Sequence, residues 1–214
     1  MIITRRRSMA LLSASALAAC ASDIDRDAAA LALTPRETEG PFFPEDVSGE
    51  SDVDLTRLAG RSARATGQVI TVRGRVLDRF GAPITGARVE LWQANAAGRY
   101  AHSADAGNPA PLDPDFQGYG AITTGADGAF RFTTIRPGGY LVARQGPRTP
   151  HLHWKIAAGA AALTTQSYFP GDSANEADFL IRAMGAPAQR LMARDAGVDE
   201  AGAPRFDWDV VLAA

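Results

Sequence analysis

The stretch VITVRGRVLDRFGAPITGARVELWQ, at positions 69–93, contains the pattern that decides the fold. Val69–Leu77 and Ala87–Gln93 both mix apolar and β-branched residues with polar ones at short intervals, which is typical of half-buried strands. Between them, Arg79–Pro83 has the glycine and proline of a turn. The stretch therefore predicts two short strands joined by a turn.

On the C-terminal side of this pair, short apolar segments continue to alternate with turns. Gly125–Gly128 separates Ala121–Thr124 from Ala129–Ile135, which is a hairpin signal. The remaining strand candidates are Tyr140–Ala143, His151–Ile156, Leu163–Tyr168 and Phe206–Leu212. Many short strands separated by turns predict an all-β fold, in the form of a single β-sandwich domain with long loops.

Helical patterns are few and lie near the C-terminus. Asn175–Met184 predicts one short helix, with Asp172 or Ser173 available as its N-cap. Ala188–Asp195 predicts a second short helix. We therefore expect one or two short helices beside the sandwich.

The composition is that of an ordinary globular domain, since 46% of the 214 residues are hydrophobic and 21% are charged. The 21 Gly and 13 Pro residues favour turn-rich structure over long helices. The formal net charge is -2, and removal of residues 1–19, which contain Arg5, Arg6 and Arg7 and no acidic residue, changes it to -5 (-2 minus 3). No basic run then remains, so we expect no nucleic-acid partner.

The first twenty residues have the order of an export signal. Three arginines precede the apolar segment Met9–Ala18, which is too short to span a bilayer comfortably. Leu17-Ala18-Ala19-Cys20 then resembles a bacterial lipobox, in which the cysteine receives lipid, and Cys20 is the only cysteine of the chain. Arg6-Arg7 also resembles a twin-arginine export signal, with the Sec route as the alternative.

These features predict a chain of three parts: a signal peptide at 1–19, a tether at 20–33 and the β-sandwich domain at 34–214. We expect an exported cell-envelope lipoprotein that is held to a membrane by lipid on Cys20. Because the chain has one cysteine, no disulfide can form within it. A homo-oligomer is possible, and the sequence leaves its size open.

The three histidines of the chain are His102, His151 and His153. Two of them form the motif Pro150-His151-Leu152-His153, and residues two apart on a strand point to the same face. Both imidazoles could therefore bind one metal ion, although two histidines on a strand can also be merely structural. Zinc and iron(II) sites use this motif as well, but they would add a carboxylate ligand, and none lies within this strand.

Two tyrosines precede this motif. Tyr140 follows Arg136-Pro137-Gly138-Gly139 at the start of a predicted strand, and Tyr100 ends the run WQANAAGRY at 92–100. Each tyrosine taken singly would be an ordinary buried phenol that needs a hydrogen-bond partner. The tyrosines gain significance only beside the two histidines.

An ordered set of motifs over most of the chain resembles the intradiol ring-cleavage dioxygenases, the family of protocatechuate 3,4-dioxygenase and catechol 1,2-dioxygenase. In order, the matching segments are TEGPFFP at 38–44, GRVLD at 74–78, VELWQA at 89–94, PLDPDF at 111–116, IRPG at 135–138, RTPHLH at 148–153 and TQSYF at 165–169. No single segment is specific, but their common order is.

The resemblance implies a non-haem iron(III) centre whose ligands are Tyr100, Tyr140, His151 and His153. Hard anionic oxygen donors stabilise iron(III), and a bound cation lowers the pKa of a coordinated phenol, so both tyrosines would bind as phenolates. The resemblance further implies a hydroxide as fifth ligand, with Tyr140 displaced by substrate. The implied reaction uses O₂ to cleave a catechol-type ring between its two hydroxylated carbons, giving a muconate-type diacid.

Three further residues receive expected roles from the same resemblance. Arg148 would stabilise negative charge on the substrate ring. Gln166 matches a family glutamine near the active site and would lie beside the ligands or the oxygen pocket. His102, two residues after Tyr100, is expected either to lie beside the ligands or to be structural, because the family uses four protein ligands.

The chain departs from the family pattern directly after Tyr140. Leu141-Val142 replaces the Pro-Trp pair of the protocatechuate enzymes, and the connection to His151 is shorter, so the identity of the catechol stays open. Residues 72–92 also resemble transthyretin-like modules, which would make the protein a non-catalytic binding lipoprotein. Such modules have no use for two tyrosines and two histidines in this order, which favours the enzyme.

Overall fold

The computed structural model describes residues 30–213. The predicted signal peptide at 1–19, the lipid site at Cys20 and the part of the tether up to residue 29 lie outside the described residues. Within 30–213 the strands are β1 Val69–Asp78, β2 Arg88–Trp92, β3 Tyr119–Thr123, β4 Ala129–Ile135, β5 Tyr140–Val142, β6 Gly146–Arg148, β7 His151–Ala158, β8 Ala161–Tyr168, β9 Arg194–Val198, β10 Pro204–Asp207 and β11 Val210–Leu212, and the α-helix is α1 Phe179–Met184.

The strands form two main sheets and a separate hairpin. The first sheet is built around β1, which pairs antiparallel with β4 and parallel with β10 and then β11, while β9 lies against β10. The second sheet is antiparallel and has the order β3-β2-β7-β8. β5 and β6 form the hairpin. The predicted all-β sandwich is confirmed.

Large apolar side chains fill the space between the two sheets. Val72 and Phe132 of the first sheet and Leu91 and Trp154 of the second are fully buried. The Trp154 ring lies 5.5 Å from Phe130 and 5.9 Å from Phe132, measured between centroids. Full burial of such a side chain stabilises the fold by about 1.5–3 kcal/mol.

The predicted helical region is wrong in its boundaries. Instead of one helix over Asn175–Met184, a 3₁₀ turn forms at Ser173–Glu176, and α1 begins only at Phe179. Asp178 is the cap of α1, because its carboxylate accepts hydrogen bonds from the first N–H groups of the helix. Asp172 caps only the 3₁₀ turn. A short polar side chain that competes for backbone N–H groups explains the break.

The second predicted helix, Ala188–Asp195, is also wrong. Ala186–Leu191 forms a 3₁₀ helix, and β9 begins at Arg194. The N–H of Ala193 donates to the carbonyl of Tyr168 on β8 at 2.9 Å. Pairing with a distant strand thus overrides the local helical preference.

Phe206–Leu212, predicted as one strand, is divided into β10 and β11 by Trp208-Asp209. The N–H of Trp208 donates to the carbonyl of Arg73 at 2.9 Å, and its indole packs 5.5 Å from that of Trp154. Gly74 permits this approach, because a Cβ there would lie 1.8 Å from the Trp208 carbonyl oxygen. Burial of one tryptophan therefore interrupts the strand.

An extended segment without strand pairing, Thr34–Pro44, is called the strap below. The N–H of Glu37 donates to the carbonyl of Thr164 at 3.0 Å. The hydroxyl of Thr165 donates to the carbonyl of Pro35 at 2.7 Å, which fixes the strap along β8. The strap covers the face of β7 and β8 that the core does not use. Among residues 30–213, no helix is long and apolar enough to cross a membrane.

Candidate metal centre

Three elements bring the four predicted ligands together. His151 and His153 are the first and third residues of β7, Tyr140 is the first residue of β5, and Tyr100 lies in the loop after β2. Tyr100 is far from the two histidines along the chain. The pairing of β2 with β7 brings the two regions together, because Trp92 lies opposite His153.

Local turn chemistry holds the Tyr100 loop in place. The side-chain oxygen of Asn95 accepts hydrogen bonds from the N–H groups of Ala97 and Arg99 at 2.9 and 3.0 Å. Gly98 has a φ of +76°, and a Cβ there would lie 2.3 Å from the carbonyl oxygen of Gly139. Only glycine lets this loop pack against the residues that precede Tyr140.

The polar ends of the four side chains meet in a continuous series of contacts. The Tyr140 hydroxyl lies 3.3 Å from Nε2 of His151, which lies 3.2 Å from Nε2 of His153. Nε2 of His153 in turn lies 3.1 Å from the Tyr100 hydroxyl. The structure therefore brings together all four residues that the sequence singled out as ligands.

A backbone carbonyl fixes the tautomer of His151. Its Nδ1 lies 2.6 Å from the carbonyl oxygen of Thr149, which can only accept, so Nδ1 carries the proton. Nε2 then presents a lone pair to the cluster. Metal-binding histidines are oriented by this kind of carbonyl contact.

His153 is held by packing in place of such a hydrogen bond. Its ring stacks on Trp92 at 4.9 Å between centroids with planes 15° apart. Its Nδ1 is buried and has no hydrogen-bond partner among the described residues. Gly40 of the strap approaches from the other side, where a Cβ would lie 3.6 Å from Cε1.

Burial keeps both imidazoles neutral. It lowers the pKa of His151 to about 3, with the positive charge of Arg148 adding to the effect. Burial also lowers the pKa of His153 well below the ordinary value, and the neighbouring His151 and Arg148 act in the same direction. Neutral imidazoles are the form that binds metal.

For the two phenols, burial disfavours the ionised form that would bind a metal ion. Burial raises the pKa of Tyr100 well above the ordinary value and also raises that of Tyr140. Both phenols therefore stay protonated at neutral pH unless a cation compensates the desolvation of the phenolate. Without a cation, all four side chains of the cluster are therefore neutral, although they carry nitrogen and oxygen donors suited to a metal ion.

The spacing of the donor atoms fits a single ion. Donors about 2.1 Å from one shared ion, at angles of about 90–110°, lie roughly 3.0–3.4 Å from each other. The three contacts of 3.1, 3.2 and 3.3 Å fall within this range. Within residues 30–213, no three His, Cys, Asp or Glu side chains are placed to hold a metal ion, so this cluster depends on its phenol oxygens.

Arg148 lies beside the cluster and is itself buried, with 5% of its surface exposed. Its Nε donates to Asp178 at 2.8 Å, and the same carboxylate oxygen accepts the N–H of Thr149 at 3.0 Å. Asp178 is fully buried and also caps α1. The guanidinium is thus fixed by a carboxylate that is bound on three sides.

Gln166 connects Arg148 to the strap. Its side-chain oxygen accepts a short hydrogen bond from the guanidinium, and its amide nitrogen donates to the carbonyl of Thr38 at 3.0 Å. The structure places this residue between the arginine and the strap. Its predicted role beside the ligands or the oxygen pocket stays a prediction.

A second carboxylate reaches this network from the strap. The Tyr168 hydroxyl donates to Glu37 at 2.6 Å and lies 3.4 Å from the Arg148 guanidinium. Burial raises the pKa of Glu37 to about 7, against the opposing effect of the Tyr168 hydrogen bond. The Glu37 carboxyl group, which lies close to the candidate metal centre, therefore titrates near neutral pH.

His102 stands apart from the ligands. Its Nδ1 accepts the N–H of Ala104 at 3.0 Å and caps the 3₁₀ turn Ser103–Asp105. Phe42 of the strap lies between this region and the cluster, because its ring stacks on Tyr100 at 4.4 Å. His102 thus caps a turn at the edge of the site, and which of its two expected roles it has stays a prediction.

The sequence interpretation missed the partners that surround the ligands. Asp178 was not considered, although an aspartate before an apolar segment is a typical N-cap signal. Glu37, Trp92 and Phe42 stood within or beside quoted motifs without a role. Only the fold shows that they touch the cluster or its arginine.

Comparison with known proteins identifies the family to which the chain belongs. The family described as Dioxygenase (Dioxygenase_C) matches residues 38–214. The protocatechuate 3,4-dioxygenase beta chain of Burkholderia cepacia is 38% identical over 184 residues, which cover 83% of this chain and 78% of that protein. The chain spans about half the length of the curated catechol 1,2-dioxygenases from two Acinetobacter species that it matches.

Two solved structures are similar over most of the chain. The dioxygenase domain of a dioxygenase–carbohydrate-binding protein fusion from Streptomyces sp. SirexAA-E has 30% identity and a TM-score of 0.61, covering 84% of this chain and 97% of that one. Catechol 1,2-dioxygenase from Pseudomonas arvilla C-1 has 26% identity and a TM-score of 0.63, covering 92% of this chain and 67% of that one.

Proposed function

The chain belongs to the intradiol ring-cleavage dioxygenase family, and on that premise we propose that it is a non-haem iron(III) enzyme that cleaves catechol-type rings between the two hydroxylated carbons. The observation that carries the proposal is the convergence of two phenols and two neutral imidazoles on one buried point. A sandwich that only binds a partner has no need of such a cluster.

Tyr100, Tyr140, His151 and His153 would hold the metal. When bound, iron(III) would supply the charge that stabilises both phenolates and would make a coordinated catecholate reactive toward O₂. The two imidazoles contribute no charge, because burial keeps them neutral. The two phenolates therefore leave one positive charge for a further anionic ligand.

The two tyrosines differ in exposure, and this difference assigns their roles. Tyr100 is 4% exposed and is covered by the ring of Phe42, so it stays in place. Tyr140 is only partly buried and begins the hairpin at the edge of the site. We assign Tyr140 as the tyrosine that would accept a proton from the incoming catechol.

Arg148 supplies a fixed positive charge beside the ring. A guanidinium that is already oriented in a buried site stabilises negative charge on a substrate at little reorganisation cost. Its pairing with Asp178 and Gln166 fixes that orientation. Arg148→Ala should therefore retain iron but lower turnover by on the order of 10²–10³. Arg61→Ala, which removes a surface arginine paired with Asp115, is the matched control.

The decisive experiment is turnover of catechol, protocatechuate and hydroxyquinol under ¹⁸O₂, with mass spectrometry of the product. We expect a muconate-type diacid that contains both atoms of one O₂ molecule. A yellow semialdehyde, or a diacid without the label, would contradict the proposed reaction. The panel also identifies the preferred ring, which the departure at Leu141-Val142 leaves open.

We further propose that the enzyme is exported and anchored in the cell envelope through lipid on Cys20. The proposal rests on the lipobox at positions 17–20 and the basic residues before it. Cys20→Ala should leave the protein unprocessed or soluble, as judged by mass spectrometry and detergent extraction. Extraction of the wild type without detergent would contradict the anchor.

A further inference from the structure

The sandwich has two chemically different ends. β7 runs from His151 at the metal centre to Ala158, a distance of about 20 Å at the usual rise per residue. The opposite end, called the distal end below, consists of the β1–β2 turn at 79–86, the β3–β4 turn at 124–128, the β7–β8 hairpin at 157–162 and the last residues of β11. The register of Asp78 with Leu212, and of Arg88 with Ala157, places these segments at one end.

The described chain begins at the distal end. The N–H of Leu31 donates to the carbonyl of Arg79 at 2.7 Å, and that of Thr34 donates to the carbonyl of Val211 at 3.0 Å. Ten positions separate Ala30 from Cys20, a length that spans at most roughly 35 Å. A lipid on Cys20 would therefore hold the distal end within roughly 35 Å of the bilayer, whereas the metal centre at the other end of β7 could lie farther away.

The distal end exposes several large apolar side chains, beside the exposed Asp127 of the β3–β4 turn. Leu31 and Leu33 are each 43% exposed and Phe80 is 52% exposed. The hairpin between β7 and β8 reads IAAGAAAL at 156–163 and has no charged residue. Leu33 also lines an apolar cavity of about 270 Å³ with Leu163 and other residues of this end.

Two arginines border these apolar residues. The guanidinium of Arg79 lies 5.5 Å from the Phe80 ring centroid, and Arg36 donates to the carbonyl of Ala162 at 2.9 Å. Protein surfaces that lie in the membrane interface commonly place leucine and phenylalanine next to arginine. The apolar side chains then contact the upper acyl region, and the arginines contact the lipid headgroups.

We propose that the distal end lies on the bilayer surface to which Cys20 is tethered, so that the metal centre faces away from the membrane. This proposal rests on the proposed anchor. The occupant is a lipid surface, because the tether begins among these apolar side chains and holds them within roughly 35 Å of the lipid on Cys20. Substrate would then reach Tyr140 from the aqueous side.

The test couples the full chain through its single cysteine, Cys20, to a maleimide lipid in phosphatidylglycerol and phosphatidylethanolamine vesicles. Because this coupling does not depend on natural lipidation, failure of the natural anchor and failure of the orientation are separate outcomes. Hydrogen–deuterium exchange is compared with that of the uncoupled chain without vesicles. We expect slower exchange at 30–36, 79–86 and 157–162, and unchanged exchange at 97–108 and 140–148.

The variant Phe80→Asp should lose the slower exchange at the distal end, and Leu31→Asp should do the same. Val198→Asp, at a residue 60% exposed on β9, is the matched control and should leave the protection unchanged. Slower exchange at 140–148, or none at the distal end, would overturn the proposal. The proposal would also be overturned if the distal end exchanged equally slowly in the coupled and the uncoupled chain. That result would mean that a second copy or the chain itself covers it.

Discussion

β7 buries both of its faces, but the two faces contain opposite chemistry. Leu152, Trp154 and Ile156 enter the apolar core, whereas His151 and His153 enter the candidate metal centre, and all five are at most 2% exposed. The indole N–H of Trp154 is satisfied by Ser167 at 2.8 Å. Nδ1 of His153 has no partner among the described residues.

This difference shows that burial alone does not identify a site. The apolar face stabilises the fold through the area that it removes from water. The polar face is costly, because buried polar groups lose their hydration. A metal ion bound by the imidazoles and phenols of this cluster would compensate that cost.

The largest difference between the faces should appear in metal content. His153→Ala should lose most of the bound iron, since a centre with four protein ligands cannot easily spare one. Iron is measured in the purified protein by elemental analysis. Trp154→Ala is the control on the opposite face and should keep its iron while folded. Equal iron in wild type and His153→Ala would remove this residue from the ligand set.

The second effect is on stability, and here the variant on the apolar face should lose more than the variant on the polar face. Trp154→Ala should lower the free energy of unfolding by about 3–5 kcal/mol, because it removes a fully buried side chain from the centre of the core. Urea unfolding of the metal-free protein measures this change. His153→Ala should cost clearly less in the same assay. A similar cost for both would mean that the two faces do not differ as argued.

A smaller effect sharpens the role of the buried pair beside the metal centre. Asp178→Asn keeps an N-cap for α1, since asparagine caps as well as aspartate, but removes the charge that holds Arg148. Loss of one charge-assisted hydrogen bond, about 1.5–3 kcal/mol, should lower kcat by roughly tenfold to a hundredfold with iron retained.

The Arg148→Ala variant distinguishes a positioning role of Asp178 from a role in folding alone. In an Arg148→Ala background, Asp178→Asn should cause no further loss of kcat, because the group that Asp178 positions is gone. It should also raise stability there, since it removes an unpaired buried charge. An equal loss of kcat in both backgrounds would show that Asp178 acts only on the fold.

The smallest predicted effect concerns pH. Burial raises the pKa of Glu37 from its ordinary value of 4.5 to about 7, so the folded state binds more protons than the unfolded state between these values. Stability should therefore fall as pH rises through this window. Glu37→Gln should flatten that dependence in urea unfolding at pH 5 and 7. Glu39→Gln, on the same strap, controls for the loss of one negative charge, and an unchanged slope in Glu37→Gln would contradict the assignment.

The sequence predicted the sandwich and the two histidines of the cluster from short-range patterns. Alternation fixes the strands, and His151 and His153 share a face by their spacing alone. The order of the motifs, and not the spacing, pointed to Tyr100 and Tyr140.

The sequence could not predict what depends on distant contacts. The break at Trp208 follows from its packing on Trp154 and from the space that Gly74 leaves. Asp178 is separated from Arg148 by thirty positions, so their ion pair exists only in the fold. The same holds for the strap, whose Glu37 meets Tyr168 across 131 positions.

The central claim is that iron(III) is bound through phenolates, and the visible absorption spectrum of the purified, iron-loaded protein tests it most directly. Wild type should show a charge-transfer band that makes the protein coloured. Tyr140→Phe should keep part of the iron and shift that band, while Phe42→Leu, which changes only a ring beside Tyr100, should retain it. Iron bound in full without visible absorption, or the same spectrum in wild type and Tyr140→Phe, would contradict the account.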